Sequence, residues 1–357
     1  MPSACLEPMR RLIHASNDWG LPSIRLQALD WEGLERLISM REPTPQIRRL
    51  DRRSFVAGAL TAGVWQAVPE GASEADLGSN LLTRMSLALE LNGRRKCVFV
   101  VDTGAGRTAL ASDVAEAIAA PSAGDILVHG LTSPEVARSV RVARLDLGPI
   151  RFDDLVTPVF SRELLGADGL LGLDALSRFR LSFDLKRNQV EMSPSAPDVV
   201  QVSRTHATPS RLTRTVPRYA RSGRFGQLIV TDATVGGVPV EAFVDSGAQY
   251  SIGNMALARA IGIDLSPSGA RSVQVYGVIG QSVDAYIGSA PRLRLANQAL
   301  GRTSLLFADL HAFRVLDLIE RPALLIGGDV IQRFDRVVLD YGRSEISFSR
   351  PSRRRLT

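Results

Sequence analysis

The chain repeats itself, and this duplication constrains its fold more than any other feature. In the first half an alternating run over residues 85–91 meets Asn92-Gly93, and an apolar run over residues 97–101 then delivers Asp102-Thr103-Gly104-Ala105. In the second half Leu228-Ile229-Val230 and Ala233-Thr234-Val235 meet Gly236-Gly237, and residues 240–244 deliver Asp245-Ser246-Gly247-Ala248. Period-two alternation predicts strands, and Asn-Gly and Gly-Gly supply the positive φ that a tight hairpin turn needs. The match resumes downstream, where residues 169–179 align with residues 324–334 through the steps Leu170-Leu171-Gly172 and Leu325-Ile326-Gly327. Each block leads into a strand ending in an aspartate, Asp184 or Asp340, then a turn and a last strand. Two like lobes follow, at residues 77–192 and 224–350, in an all-β protein. Residues 193–223, rich in Pro, Ser, Thr and Arg with little apolar period, read as the connection. Short helices are expected at 112–119, at 254–261 and after each Gly-x-Asp.

Composition narrows the function. With 357 residues, 45% hydrophobic and 22% charged, the chain is of ordinary globular make-up and long enough for two domains. The formal net charge of +6 comes from arginines spread along the whole length, and the only lysines are Lys96 and Lys186. Without clustering on aromatic-rich segments this is a compositional bias and no nucleic-acid footprint. Cys5 and Cys97 cannot build a disulfide framework, and neither pairs with histidine at a metal spacing. His14, His129, His206 and His311 stand far apart, so neither a zinc motif nor a Ser-His nucleophile pair is supported, and no phosphate-binding glycine loop occurs.

The amino-terminal region reads as an export signal. Arg48, Arg49, Arg52 and Arg53 precede an uncharged apolar run at residues 55–68. At about 14 residues the run is shorter than the roughly 20 needed to span a bilayer, so no stable membrane span is expected once the signal is removed. The order Arg52-Arg53-Ser54-Phe55 resembles bacterial twin-arginine signals, and Ala67, Gly71 and Ala72 offer small residues for cleavage. A short buried helix is the alternative reading of the same run. Because such a signal works near the start of a chain, Met40 reads as the start, residues 40–72 as the signal and residues 1–39 as either an artefact of start-site assignment or a dispensable extension. The mature protein is then periplasmic or secreted.

The chemistry lies in the paired aspartates. One Asp-Thr/Ser-Gly tripeptide is weak evidence; two in matched contexts are strong. Gly104 and Gly247 let the backbone turn behind each carboxylate and let backbone amides approach it. Thr103 and Ser246 supply hydroxyls able to bond across a lobe junction.

Each half resembles one lobe of the aspartic proteases of the pepsin-like and retropepsin-like families, over nearly all of residues 77–350. Without disulfides or long insertions, and with Ala105 and Ala248 where animal enzymes usually carry serine, the chain looks like two retropepsin subunits fused in tandem. The resemblance implies the acid-protease fold, two β-barrel lobes about a pseudo-twofold axis with a few short helices. It implies Asp102 and Asp245 as a catalytic pair sharing a water and a proton, supported by the loop residues Thr103, Gly104, Ala105, Ser246, Gly247 and Ala248. Neither metal nor cofactor is called for, the substrate is a peptide or protein, and one chain suffices as a monomer. Ala105 and Ala248 cannot donate the hydrogen bond by which serine would favour a charged carboxylate, so a working range less acidic than that of gastric-type enzymes is expected. Candidate flaps are the segments around His129-Gly130 and Tyr276-Gly277. The second resembles the Tyr-Gly flap tip of pepsin-like enzymes but lies in the other lobe, and Tyr276 equally fits an ordinary strand aromatic. Asp168, Asp174, Asp184, Asp329 and Asp340 recur at turns and helix starts, where aspartate caps backbone amides.

The rival to an active endopeptidase is an inactive relative that binds peptides in the same groove. On the export reading, sequencing the mature amino terminus will place it close to residue 72; finding Cys5 or Trp19 in the mature product would refute that reading.

Overall fold

The computed structural model describes residues 85–93, 95–187, 189–195, 220–265 and 271–349, with the backbone of the strand Ile24–Gln27. The export segment read at 40–72, the rest of 1–39, most of the 193–223 connection and the arginine tail lie outside the described residues.

The first hairpin forms where the alternation predicts it. Ser86–Leu91 pairs antiparallel with Arg95–Val101, and Asn92 and Gly93 take φ of 52° and 69° in the turn. Leu87, Leu89 and Leu91 point inward and are at most 3% exposed. From there the sheet runs through Gly169–Leu171, Ala109–Ala111, Ile150–Phe160 and Pro134–Leu147, and closes on its first strand by the pairs Glu90↔Asp146 and Leu91↔Leu145. The result is a closed six-stranded barrel, with Ser122–His129 added as an outer strand to Pro134–Leu147.

The second half follows the same plan with a more open layout. Glu241–Val244 lies parallel to Ala323–Ile326 in an eight-stranded sheet, just as Arg95–Val101 lies parallel to Gly169–Leu171 in the first. The Gly236-Gly237 turn, with φ of 60° and 87°, joins Ala233–Val235 to Val238–Pro239, and both belong to a separate four-stranded sheet with Leu293–Leu295 and Gln298–Leu300. The chain is thus mostly β, as its pattern predicts, with a few short helices. Ser112–Ala117, Met255–Ala260, Leu173–Leu176 and Gly328–Ile331 occupy the expected positions. Two single-turn helices, Arg162–Leu165 and His311–Val315, were not expected, because one turn is too short to display a helical period.

A third sheet joins the halves. Phe179–Asp184 and Arg336–Asp340, the equivalent strands of the two copies, pair antiparallel with Leu181 opposite Leu339 and Phe183 opposite Val337. These four side chains are at most 2% exposed, and one apolar core runs through the sheet into both lobes. Gln189–Pro194 and Glu345–Phe348 flank the central pair, and Ile24–Gln27 pairs along the outer side of Gln189–Pro194. Residues 24–27 stand upstream of the segment read as an export signal, so a chain cleaved near residue 72 would leave that sheet edge uncovered.

Candidate functional site

Each candidate aspartate sits where a strand ends against its parallel neighbour. The Asp102 amide donates to the Leu171 carbonyl at 3.0 Å, and the Asp245 amide to the Ile326 carbonyl at 2.9 Å. Two amides then fold back onto each carboxylate. Asp102 Oδ1 accepts from the amides of Gly104 (3.0 Å) and Ala105 (2.9 Å), and Asp245 Oδ1 from those of Gly247 (2.9 Å) and Ala248 (3.0 Å). The methyl groups of Ala105 and Ala248 have no polar hydrogen to add to these bonds. Asp102 is 7% exposed and Asp245 9% exposed.

The two loops face each other directly. A Cβ on Gly104 would overlap the Asp245 carboxylate, and a Cβ on Gly247 would overlap the Asp102 carboxylate. Glycine is therefore required at both positions by the approach of the opposite lobe. The hydroxyls of Thr103 and Ser246 tie the junction. Thr103 Oγ1 donates to the Val244 carbonyl at 2.9 Å and accepts from the Ser246 amide at 3.0 Å. In mirror fashion Ser246 Oγ donates to the Val101 carbonyl at 2.7 Å and accepts from the Thr103 amide at 3.2 Å. Below them lies Tyr341, 8% exposed, whose phenol is hydrogen-bonded with Thr103 and held above its ordinary pKa by burial. Sequence reading did not single out Tyr341; it has no counterpart in the repeat that would have flagged it.

The recurring aspartates form two pairs, with Asp168 apart from both. Asp184 and Asp340 receive the amides of Arg187 and Arg343 and stabilise the turns that follow them. Asp174 and Asp329 do more than serve their helix starts. Asp174 Oδ1 accepts from the amide and hydroxyl of Thr108, at 2.9 and 2.7 Å, and the Thr108 hydroxyl accepts from the Gly172 amide. Asp329 Oδ1 accepts from the Ser251 hydroxyl at 2.6 Å, which accepts from the Gly327 amide. Each pair pins the far end of an aspartate loop to the step that follows the parallel strand. Desolvation pushes the Asp329 carboxyl above its ordinary value, and the Ser251 bond opposes that shift. Asp168, 3% exposed, accepts from the Val98 amide at 2.7 Å and from Arg162 at 2.6 Å.

Both flap candidates are hairpins, and their tips meet. His129 ends the strand Ser122–His129 and Gly130 opens a turn, its amide donating to the Ser133 carbonyl at 2.9 Å. Tyr276 ends Ser272–Tyr276 and Gly277 opens the opposing turn, its amide donating to the Gln281 carbonyl at 3.0 Å. Thr132 Oγ1 donates across to the Gln281 carbonyl at 3.0 Å, while Gly130 packs on Ile279 and Gly277 on Thr132. Tyr276 remains 36% exposed. Each tip also reaches the single-turn helix of the other lobe: the Ala312 amide donates to the Leu131 carbonyl at 3.2 Å, and Gly280 lies against Leu164. Those helices, like Tyr341, were missed by sequence reading. Among the described residues no group of three or more His, Cys, Asp or Glu side chains is placed to hold a metal ion, and no helix is long and apolar enough to cross a membrane.

The junction gives a direct test. Thr103→Val keeps the shape but leaves the Ser246 amide and the Val244 carbonyl buried without partners, so stability should fall by about 2 kcal/mol or more in denaturant titration. Any activity should fall roughly 10- to 100-fold as the loops lose register. A variant as stable and active as the parent would show that the hydroxyl exchange does not hold the site together.

The aspartyl protease family profile matches residues 87–175 and 231–330, together more than half of the chain. No curated protein matches it. Since the two matched segments fall one in each half, both copies of the duplicated unit carry the family pattern, and the chain belongs to the aspartyl protease family as a tandem, two-lobed, retropepsin-like member.

Proposed function

We propose that the chain is an aspartic endopeptidase in which Asp102 and Asp245 act as one catalytic pair on a peptide held in extended form beneath the two flaps. The observation that carries this reading is the reciprocal packing of Gly104 and Gly247 on the opposite carboxylates, which makes the two acids converge. Two carboxylates that close repel one another when both are charged, so one proton held between them suits the arrangement. The charged member takes a proton from water as it attacks the scissile carbonyl. The protonated member polarises that carbonyl and then protonates the leaving nitrogen. The backbone amides on each Oδ1 leave the outer oxygens to do this work.

A groove between two lobes grips a peptide through its backbone and sorts alternate side chains into pockets; the family resemblance favours apolar side chains at the cut. Both aspartates come from one chain, so the enzyme acts as a monomer. The Arg52-Arg53 segment supports export by a twin-arginine route, with work in the periplasm or outside the cell.

Cleavage of an unfolded protein by the mature form is the test. Asp102→Asn and Asp245→Asn should each lower the rate at least about a thousandfold without loss of fold. Parent and variants that are equally inert, yet bind peptide, would make the chain a binding protein instead. The pH-rate profile should peak above about pH 3, since Ala105 and Ala248 give the charged carboxylates no side-chain donor. A maximum well below that would contradict the role given to the alanines.

A further inference from the structure

The amino-terminal flap is fastened to the opposite lobe at a point the proposed chemistry does not use. His129 Nδ1 lies 3.0 Å from His311 Nε2 in an N–H···N contact, with the ring planes 19° from parallel and centroids 5.3 Å apart. His129 is the last residue of the flap strand, and His311 opens the helix His311–Val315 in the carboxy-terminal lobe. The same flap also leaves its Leu131 side chain on the second apolar cluster of that lobe, which includes Phe313. The histidine pair is therefore the polar element of a contact whose apolar element is Leu131.

Such a contact exists only while one of the facing nitrogens lacks a proton. One hydrogen between the facing nitrogens makes the bond; with both rings fully protonated, two donors and two positive charges face each other. Arg314, on the same helix, adds a third positive charge. Carboxylates stand on the flap strand, at Asp125, and on the neighbouring elements, at Glu135, Asp309 and Asp317. Asp309, ahead of the helix, accepts the Met255 amide at 2.9 Å, and Glu135, on the returning flap strand, makes no hydrogen bond to either ring among the described residues. The opposing flap tip contributes only uncharged residues, 277–281.

We propose that His129 and His311 are positioning residues forming an acid-released latch, which holds the flap down near neutral pH and frees it when both rings are protonated. The proposal rests on the peptidase reading for its purpose, since an enzyme using an aspartate pair gains from a groove that opens as the medium acidifies. Desolvation, then His129 and then Arg314 hold the His311 pKa below its ordinary value. The sign follows from linkage: the closed form binds fewer protons than the open one. Closure is thus fully supported above the ordinary histidine pKa of about 6.5 and is lost as pH falls through the lowered pKa of His311. Leu131 and Thr132 keep their contacts throughout, so the latch biases the flap and does not act as an absolute gate.

The test has two arms. Amide hydrogen exchange of residues 129–133, measured in an Asp245→Asn background from about pH 8 to about pH 5 and corrected for intrinsic rates, should show roughly three- to tenfold less protection at the acid end. His129→Gln and His311→Gln should each remove that step, because an amide side chain does not titrate here. The second arm follows kcat and KM for a peptide substrate over the same range in the otherwise unaltered enzyme. The glutamine variants should lose the pH dependence of KM and keep the kcat profile of the aspartate pair. A protection step that is absent from the parent, or that persists in both glutamine variants, would overturn the latch. A step with no peptidase activity in any form would keep the latch and refute the catalytic reading.

Discussion

Four hydrogen bonds made by the hydroxyls of Thr103 and Ser246, each donating one to a carbonyl and accepting one from an amide of the opposite lobe, hold the aspartate loops in register, and the rest of the site inherits its geometry from them. Their partners are backbone groups of the opposite lobe, buried where water cannot substitute for a lost bond. Neither lobe alone can satisfy Thr103 or Ser246. The convergence of Asp102 and Asp245 is therefore a property of the lobe pair. The shared sheet supports it from below, through Leu181 against Leu339, and Thr108–Asp174 and Ser251–Asp329 fix the outer ends of the loops.

The duplication is close near the aspartates and loosens away from them. One lobe closes its sheet by pairing Glu90 with Asp146; the other divides its strands between an eight-stranded and a four-stranded sheet. Chemical asymmetry also enters the loops themselves. The backbone of Arg107 packs on Gly172 as that of Tyr250 packs on Gly327, so the two occupy equivalent places. Arg107 is exposed, whereas Tyr250 is half-buried on the second apolar cluster, with its phenol pushed up in pKa by desolvation. Equivalent frames thus carry unlike flanks, so the two aspartate loops differ in their chemical surroundings.

Much of this was legible in the residues. Alternation around Asn92-Gly93 and Gly236-Gly237 located the hairpins, and the Gly-x-Asp steps located Leu173–Leu176 and Gly328–Ile331. Asp174 and Asp329 were visible as repeated residues, but their bonds to Thr108 and Ser251 span 66 and 78 positions, beyond the reach of any local pattern. Arg162–Leu165 and His311–Val315 were hidden for the opposite reason: one helical turn leaves no period to detect.

By itself the sequence determined the β class, the twofold plan and the identity of the repeated aspartate loops. Those features arise from alternation, turn residues and internal similarity, which act over short stretches of chain. Tertiary structure alone decided which glycine faces which carboxylate, that Tyr341 lies beneath Thr103, and that the flap tips meet with His129 against His311. His129 and His311 stand 182 positions apart, and only the packing of one lobe on the other brings their rings within hydrogen-bond reach.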